Sequence, residues 1–128
     1  MNAPKDSLLI RLIGLELVAV VFVRDYLQLH FDGPRLTSYV WPTVHVGGSS
    51  LYLGDVGYRD ALCAFINQTV VSTEEAVGRG LLLRFATSAL SIHPKSAELT
   101  GPEIAMLDGF SNMCDVWRPG EDTFADLR

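Results

Sequence analysis

Seven apolar positions recur with the same residue type after a nearly constant shift, and this internal repeat limits the possible folds more than any other feature. In a frame of 53 residues Leu9 falls on Leu62, Ile13 on Ile66 and Val18 on Val71, while Gly14 falls on Asn67. One inserted residue makes the frame 54, and Leu27 then falls on Leu81, Leu29 on Leu83, Phe31 on Phe85 and Leu36 on Leu90. Self-similarity at this period marks one small structural unit written twice. The 128 residues suit a single domain, residues 1–128, and a composition of 48% hydrophobic and 20% charged residues supplies a packed core.

Residues 58 to 66 place Tyr58, Ala61, Leu62, Phe65 and Ile66 at helical spacing, so an amphipathic helix is expected there. The repeat frame maps it onto a shorter helix over Asp6 to Ile13. Residues 15 to 24 are rich in β-branched and aromatic side chains, which suits a buried strand. Leu27 to Phe31 alternates, Asp32-Gly33-Pro34-Arg35 supplies turn residues, and Leu36 to Trp41 resumes an extended pattern, so a hairpin follows. The second copy gives strands over Thr69 to Ala76, Leu81 to Phe85 and Leu90 to His93. Pro42 and Pro94 end the two third strands, because proline has no ladder donor.

Repeat one therefore spans about residues 6–41 and repeat two about 58–94. The Gly-rich stretch 46–57 between them reads as a loop or a weak strand around Leu51-Tyr52-Leu53. The S/T-x-x-E spacing of Thr100 and Glu103 predicts a capped helix through Leu107, within a C-terminal helix and tail over 100–128. Trp117 and Phe124 are expected to dock that tail on the core. The predicted fold class is α+β, with two helix-plus-three-strand repeats related by a pseudo-twofold and a mostly antiparallel sheet covered by short helices.

Charge and spacing remove several functions. A net charge of −5 leaves no clustered cations for a phosphate backbone, so nucleic acid is excluded as a partner. The apolar run from Leu8 to Val23 is broken by Arg11 and Glu16 and is too short for a bilayer, so no membrane partner and a cytoplasmic location are expected. Cys63 and Cys114 are isolated and read as buried free thiols. His30, His45 and His93 show no ligand spacing, and no cofactor, metal or catalytic residue is assigned. Glu74-Glu75 reads as a solvated strand end.

A functional surface emerges from the first hairpin. If Phe31 pairs with Leu36, His30 faces Thr37, Gln28 faces Tyr39 and Tyr26 faces Trp41. Leu27, Leu29, Phe31, Leu36 and Val40 then share one face. The other carries Tyr26, Gln28, His30, Thr37, Tyr39 and Trp41, an aromatic and polar mixture of the kind enriched at protein interfaces. The equivalent face of the second copy, with Leu82, Arg84, Ser91 and His93, lacks the aromatics.

Leu12-x-Gly14, Leu27 to Phe31 with Asp32-Gly33 and Leu36, and Trp117-Arg118-Pro119-Gly120-Glu121 resemble a family of small uncharacterised actinobacterial α+β proteins. That resemblance implies a bacterial protein of this fold and no particular activity. This chain departs from the pattern in its second turn, where Ala86-Thr87-Ser88 replaces Asp-Gly. The resulting expectation is a non-enzymatic protein-binding module of immunity or adaptor type, acting on a protein partner or on itself as a homodimer through Tyr26, Gln28, His30, Tyr39 and Trp41. The alternative is a small-ligand protein or minor enzyme with a pocket between the repeats, lined by groups such as Arg84 or His93.

Overall fold

The computed structural model describes residues 7–127. Ten strands dominate it: β1 (Leu17–Phe22), β2 (Leu27–Phe31), β3 (Arg35–Ser38), β4 (Thr43–Val46), β5 (Ser49–Leu51), β6 (Ser72–Ala76), β7 (Gly80–Arg84), β8 (Ser88–Ile92), β9 (Ala105–Phe110) and β10 (Met113–Trp117). They form two antiparallel five-stranded sheets, ordered β1-β2-β3-β9-β10 and β5-β4-β8-β7-β6. A single α-helix, α1 (Tyr58–Cys63), and 3₁₀ turns at Leu8–Leu12, Ser96–Glu98 and Asp122–Phe124 complete the described elements.

The expected α+β architecture, a sheet covered by short helices, is therefore corrected to a mostly β one. Propensity alone misleads here because both helical segments are stopped early. Gly14 at φ +90° and its frame partner Asn67 at φ +77° turn the chain left-handed, a conformation that glycine and asparagine adopt at least cost. The first segment is then only the 3₁₀ turn Leu8–Leu12 (Asp6 lies outside the described residues), and α1 has six residues and no side-chain cap at Gly57. Neither lies across a sheet. The first turn packs against β6, and α1 packs against β1 and β4.

Residues matched by the frame of 53 meet one another directly. The Gly14 amide donates to the Val70 carbonyl at 2.8 Å, and the Asn67 amide donates to the Leu17 carbonyl at 2.8 Å. Leu17 N–H to Gln68 O at 2.9 Å is matched by Val70 N–H to Leu15 O at 3.0 Å. Each residue thus repeats its partner's bond, as in an isologous contact. The unit that recurs is longer than helix plus three strands. Each three-strand meander is followed by a hairpin delivered to the other sheet, β4 pairing with β8 and β9 pairing with β3.

Both exchanged hairpins lay outside the expected repeats. Gly47 and Gly48, at φ +57° and +82°, form the two-residue turn with both central positions left-handed that suits a tight hairpin, so part of the predicted loop is β4–β5. The predicted helix through Leu107 is β9, where Ala105 and Leu107 are buried and Met106 and Asp108 alternate with them. Thr100 caps nothing; its hydroxyl donates to the Tyr39 carbonyl at 3.3 Å.

One apolar core lies between the sheets. Leu27, Leu29, Phe31, Leu36 and Leu107 come from the first, Val44, Leu81, Leu83, Leu90 and Ile92 from the second, and Leu9, Leu12, Leu62 and Phe65 from the helical segments. Trp117 and Phe124 are buried in the same cluster. Glu75 points inward rather than to solvent, accepting from Trp117 Nε1 at 3.1 Å and Thr123 Oγ1 at 2.7 Å. Cys63 and Cys114 are both exposed, against the expectation of buried thiols, because Cys63 lies off the buried stripe of α1 and Cys114 sits in the irregular register of β9–β10. Among the described residues no helix is long and apolar enough to cross a membrane.

Candidate functional site

The register of the first hairpin is two residues tighter than expected. Phe31 N–H bonds Pro34 O at 2.9 Å and closes the turn, so Leu29 pairs with Leu36, Gln28 with Thr37 and His30 with Arg35. A shift by an even number preserves the faces. Leu27, Leu29, Phe31 and Leu36 still point to the core, and Tyr26, Gln28, His30 and Tyr39 still share the outer side, each half-buried. Trp41 does not join them as a strand residue. β3 ends at Ser38, and Trp41 lies on the connector to β4, partly buried against the core.

Neighbouring strands widen this face beyond the hairpin. One row crosses all five strands through Val21, Gln28, Thr37, Met106 and Val116, and a second runs Ala19, His30, Arg35, Asp108. Sequence reasoning missed Val21, Met106, Arg35 and Asp108; β1 is an unbroken apolar run, so nothing in its pattern marks Val21 as the outward residue between the inward Val20 and Phe22. Thr37, on the middle strand of the sheet, is only 2% exposed.

Polar groups on the face hold one another. His30 Nε2 lies 3.0 Å from Gln28 Oε1, and Gln28 Nε2 donates to Thr37 Oγ1 at 3.5 Å. With the amide placed so, His30 carries its proton on Nε2. Arg35 Nη2 donates to Asp108 Oδ2 at 3.2 Å. The Tyr26 and Tyr39 rings stand 5.7 Å apart, tilted. Burial first, then the nearby Glu103 carboxylate, pushes the Tyr39 phenol above its usual range, so it stays a neutral hydrogen-bond donor at physiological pH. Tyr39 N–H bonds Ile104 O at 2.8 Å, which ties this end of the face to the segment entering β9.

At the opposite end, the tip of β2–β3 and Gly109 border an open hollow of about 230 Å³ with His30, Arg35 and Asp108 on its wall. Gly109 is at φ +100°, and a Cβ there would sit 2.6 Å from Pro34 Cα, so only glycine lets β9 approach the turn. Asp108 Oδ1 is buried with no hydrogen-bond partner. The groups proposed for a pocket between the repeats lie elsewhere. Arg84 is exposed and pairs with Glu74 at 3.4 Å, and His93 is exposed at the end of β8. Among the described residues no group of three His, Cys, Asp or Glu side chains is placed to hold a metal ion. No family model, curated protein or solved structure matches this chain.

Proposed function

We propose that this protein is a non-enzymatic binding module of immunity or adaptor type that works in the cytoplasm as a homodimer and holds a protein partner on the outer face of its first sheet. The observation that carries this reading is the half-buried five-strand row Val21, Gln28, Thr37, Met106, Val116 on the side of the sheet turned from the core, flanked by Tyr26, Tyr39 and His30. Half-buried aromatics around the bonded Gln28, His30 and Thr37 side chains give large contact area at small entropic cost. Trp41, which packs on the core from the connector to β4, is left out of this surface.

The test is affinity capture from native-host lysate with wild type and a Tyr26→Ser/Tyr39→Ser variant whose fold is checked by circular dichroism. A partner held by wild type and lost by the folded variant is expected; a partner retained by both moves the site away from this face. A second reading, a small polar ligand, is favoured by the unpartnered Asp108 Oδ1 beside the hollow. It predicts a ligand-dependent rise in melting temperature that Asp108→Asn abolishes.

A further inference from the structure

A sheet edge with unpaired backbone groups recruits another strand unless the protein guards it. Three of the four edges here are guarded. β5 has three residues, two of them exposed serines. β6 carries Glu74 and Glu75 and is flanked by the turn Leu8–Leu12. β10 has an irregular register, and its Asp115 Oδ2 accepts from Leu8 N–H at 2.8 Å and Ser7 Oγ at 3.3 Å.

β1 is different. Its residues Leu-Val-Ala-Val-Val-Phe include no charge and no proline, and Val18 is 47% exposed. Among the described residues, no turn, loop or side-chain hydrogen bond reaches Val18 to Phe22. The free stretch has two stops. At its start Leu17 already bonds Asn67 and Gln68, and at its end the chain turns back where Val23 N–H bonds Tyr26 O at 2.9 Å.

We infer that two copies of the chain pair antiparallel through this free edge of β1, which gives the homodimer proposed above its surface and depends on that dimer forming. Charge complementarity selects a second copy as the occupant. The segment runs Glu16, then seven apolar residues, then Arg24, and neither charged side chain has an ion pair among the described residues. Antiparallel pairing about Val20 sets Val18 opposite Phe22 and Ala19 opposite Val21, and brings each Arg24 to the end where the partner copy's Glu16 stands. Asp25 at the turn tip offsets part of that attraction. Such a ladder is short and belongs with weak interfaces, so association depends on concentration.

Sedimentation velocity from low to high micromolar protein tests this. The mass is expected to rise toward twice the monomer. Glu16→Arg and Arg24→Glu should each weaken the dimer about tenfold, by placing like charges together, and the double variant should restore it. Val18→Lys, with circular dichroism unchanged, should weaken it as well. A monomer at every concentration overturns both the dimer and its surface. A dimer indifferent to all of these changes leaves self-association standing and overturns the β1 edge.

Discussion

Polar contacts at Tyr58 and Glu75 show how single residues set this fold. The Tyr58 hydroxyl donates to the Pro42 carbonyl, which fastens α1 to the start of β4, and burial holds its phenol far above the ordinary value near 10. A raised folded-state value means that this stabilisation is complete below about pH 10 and falls as pH rises beyond it. Tyr58→Phe is expected to cost about 1 kcal/mol at neutral pH and to flatten the alkaline decline, read from urea midpoints across pH. Glu75 faces inward at the rim, where Trp117 and Thr123 both donate to it. Glu75→Ala leaves both donors without their acceptor, at roughly 1–3 kcal/mol. A double-mutant cycle with Trp117→Phe should show the two changes to be non-additive.

At the scale of elements, strands were legible where alternation was strict, and Leu27–Phe31 shows this: its faces survived a two-residue change of register because the period of a strand is two. Helices were overread. Leu8, Leu9 and Leu12 carry helical spacing, yet a turn that stops at Gly14 cannot propagate, and one turn fixes many dihedrals for few bonds. β9 was misread because the Thr100 to Glu103 spacing outweighed the alternation of Ala105, Met106, Leu107 and Asp108 that follows it. Of the candidate site, the hairpin's own residues could be read locally, whereas Arg35 beside Asp108 and Met106 beside Thr37 depend on a strand delivered from far along the chain. Gly80 lies where β7 runs close to the end of β8. It sits at φ +76°, and a Cβ there would lie 2.2 Å from the Ile92 carbonyl oxygen. Gly80→Ala is expected to cost more than about 2 kcal/mol and to lower the denaturant midpoint well below that of Gly78→Ala, whose Cβ meets open space.

At the scale of the molecule, the repeat seen in the sequence becomes two interlocked sheets. Each half lends its last hairpin to the other, and the link between residues 14–17 and 67–70 joins them a second time. Neither half keeps a complete sheet by itself. Fragments 1–57 and 58–128 are expected to show little β structure separately by circular dichroism and to regain it on mixing; two fragments folded alone would contradict the exchange. The exchange also builds the proposed binding face, since β9 and β10 supply Met106 and Val116 to a row that the first half begins. The most direct test of that face is photocrosslinking in native-host cells, with a photoreactive phenylalanine analogue placed at Gln28 or, on the outer side of the second sheet, at Leu82. A covalent adduct from position 28 and none from position 82 is predicted; adducts from position 82 alone, or from neither, would contradict the assignment of the first sheet as the binding surface.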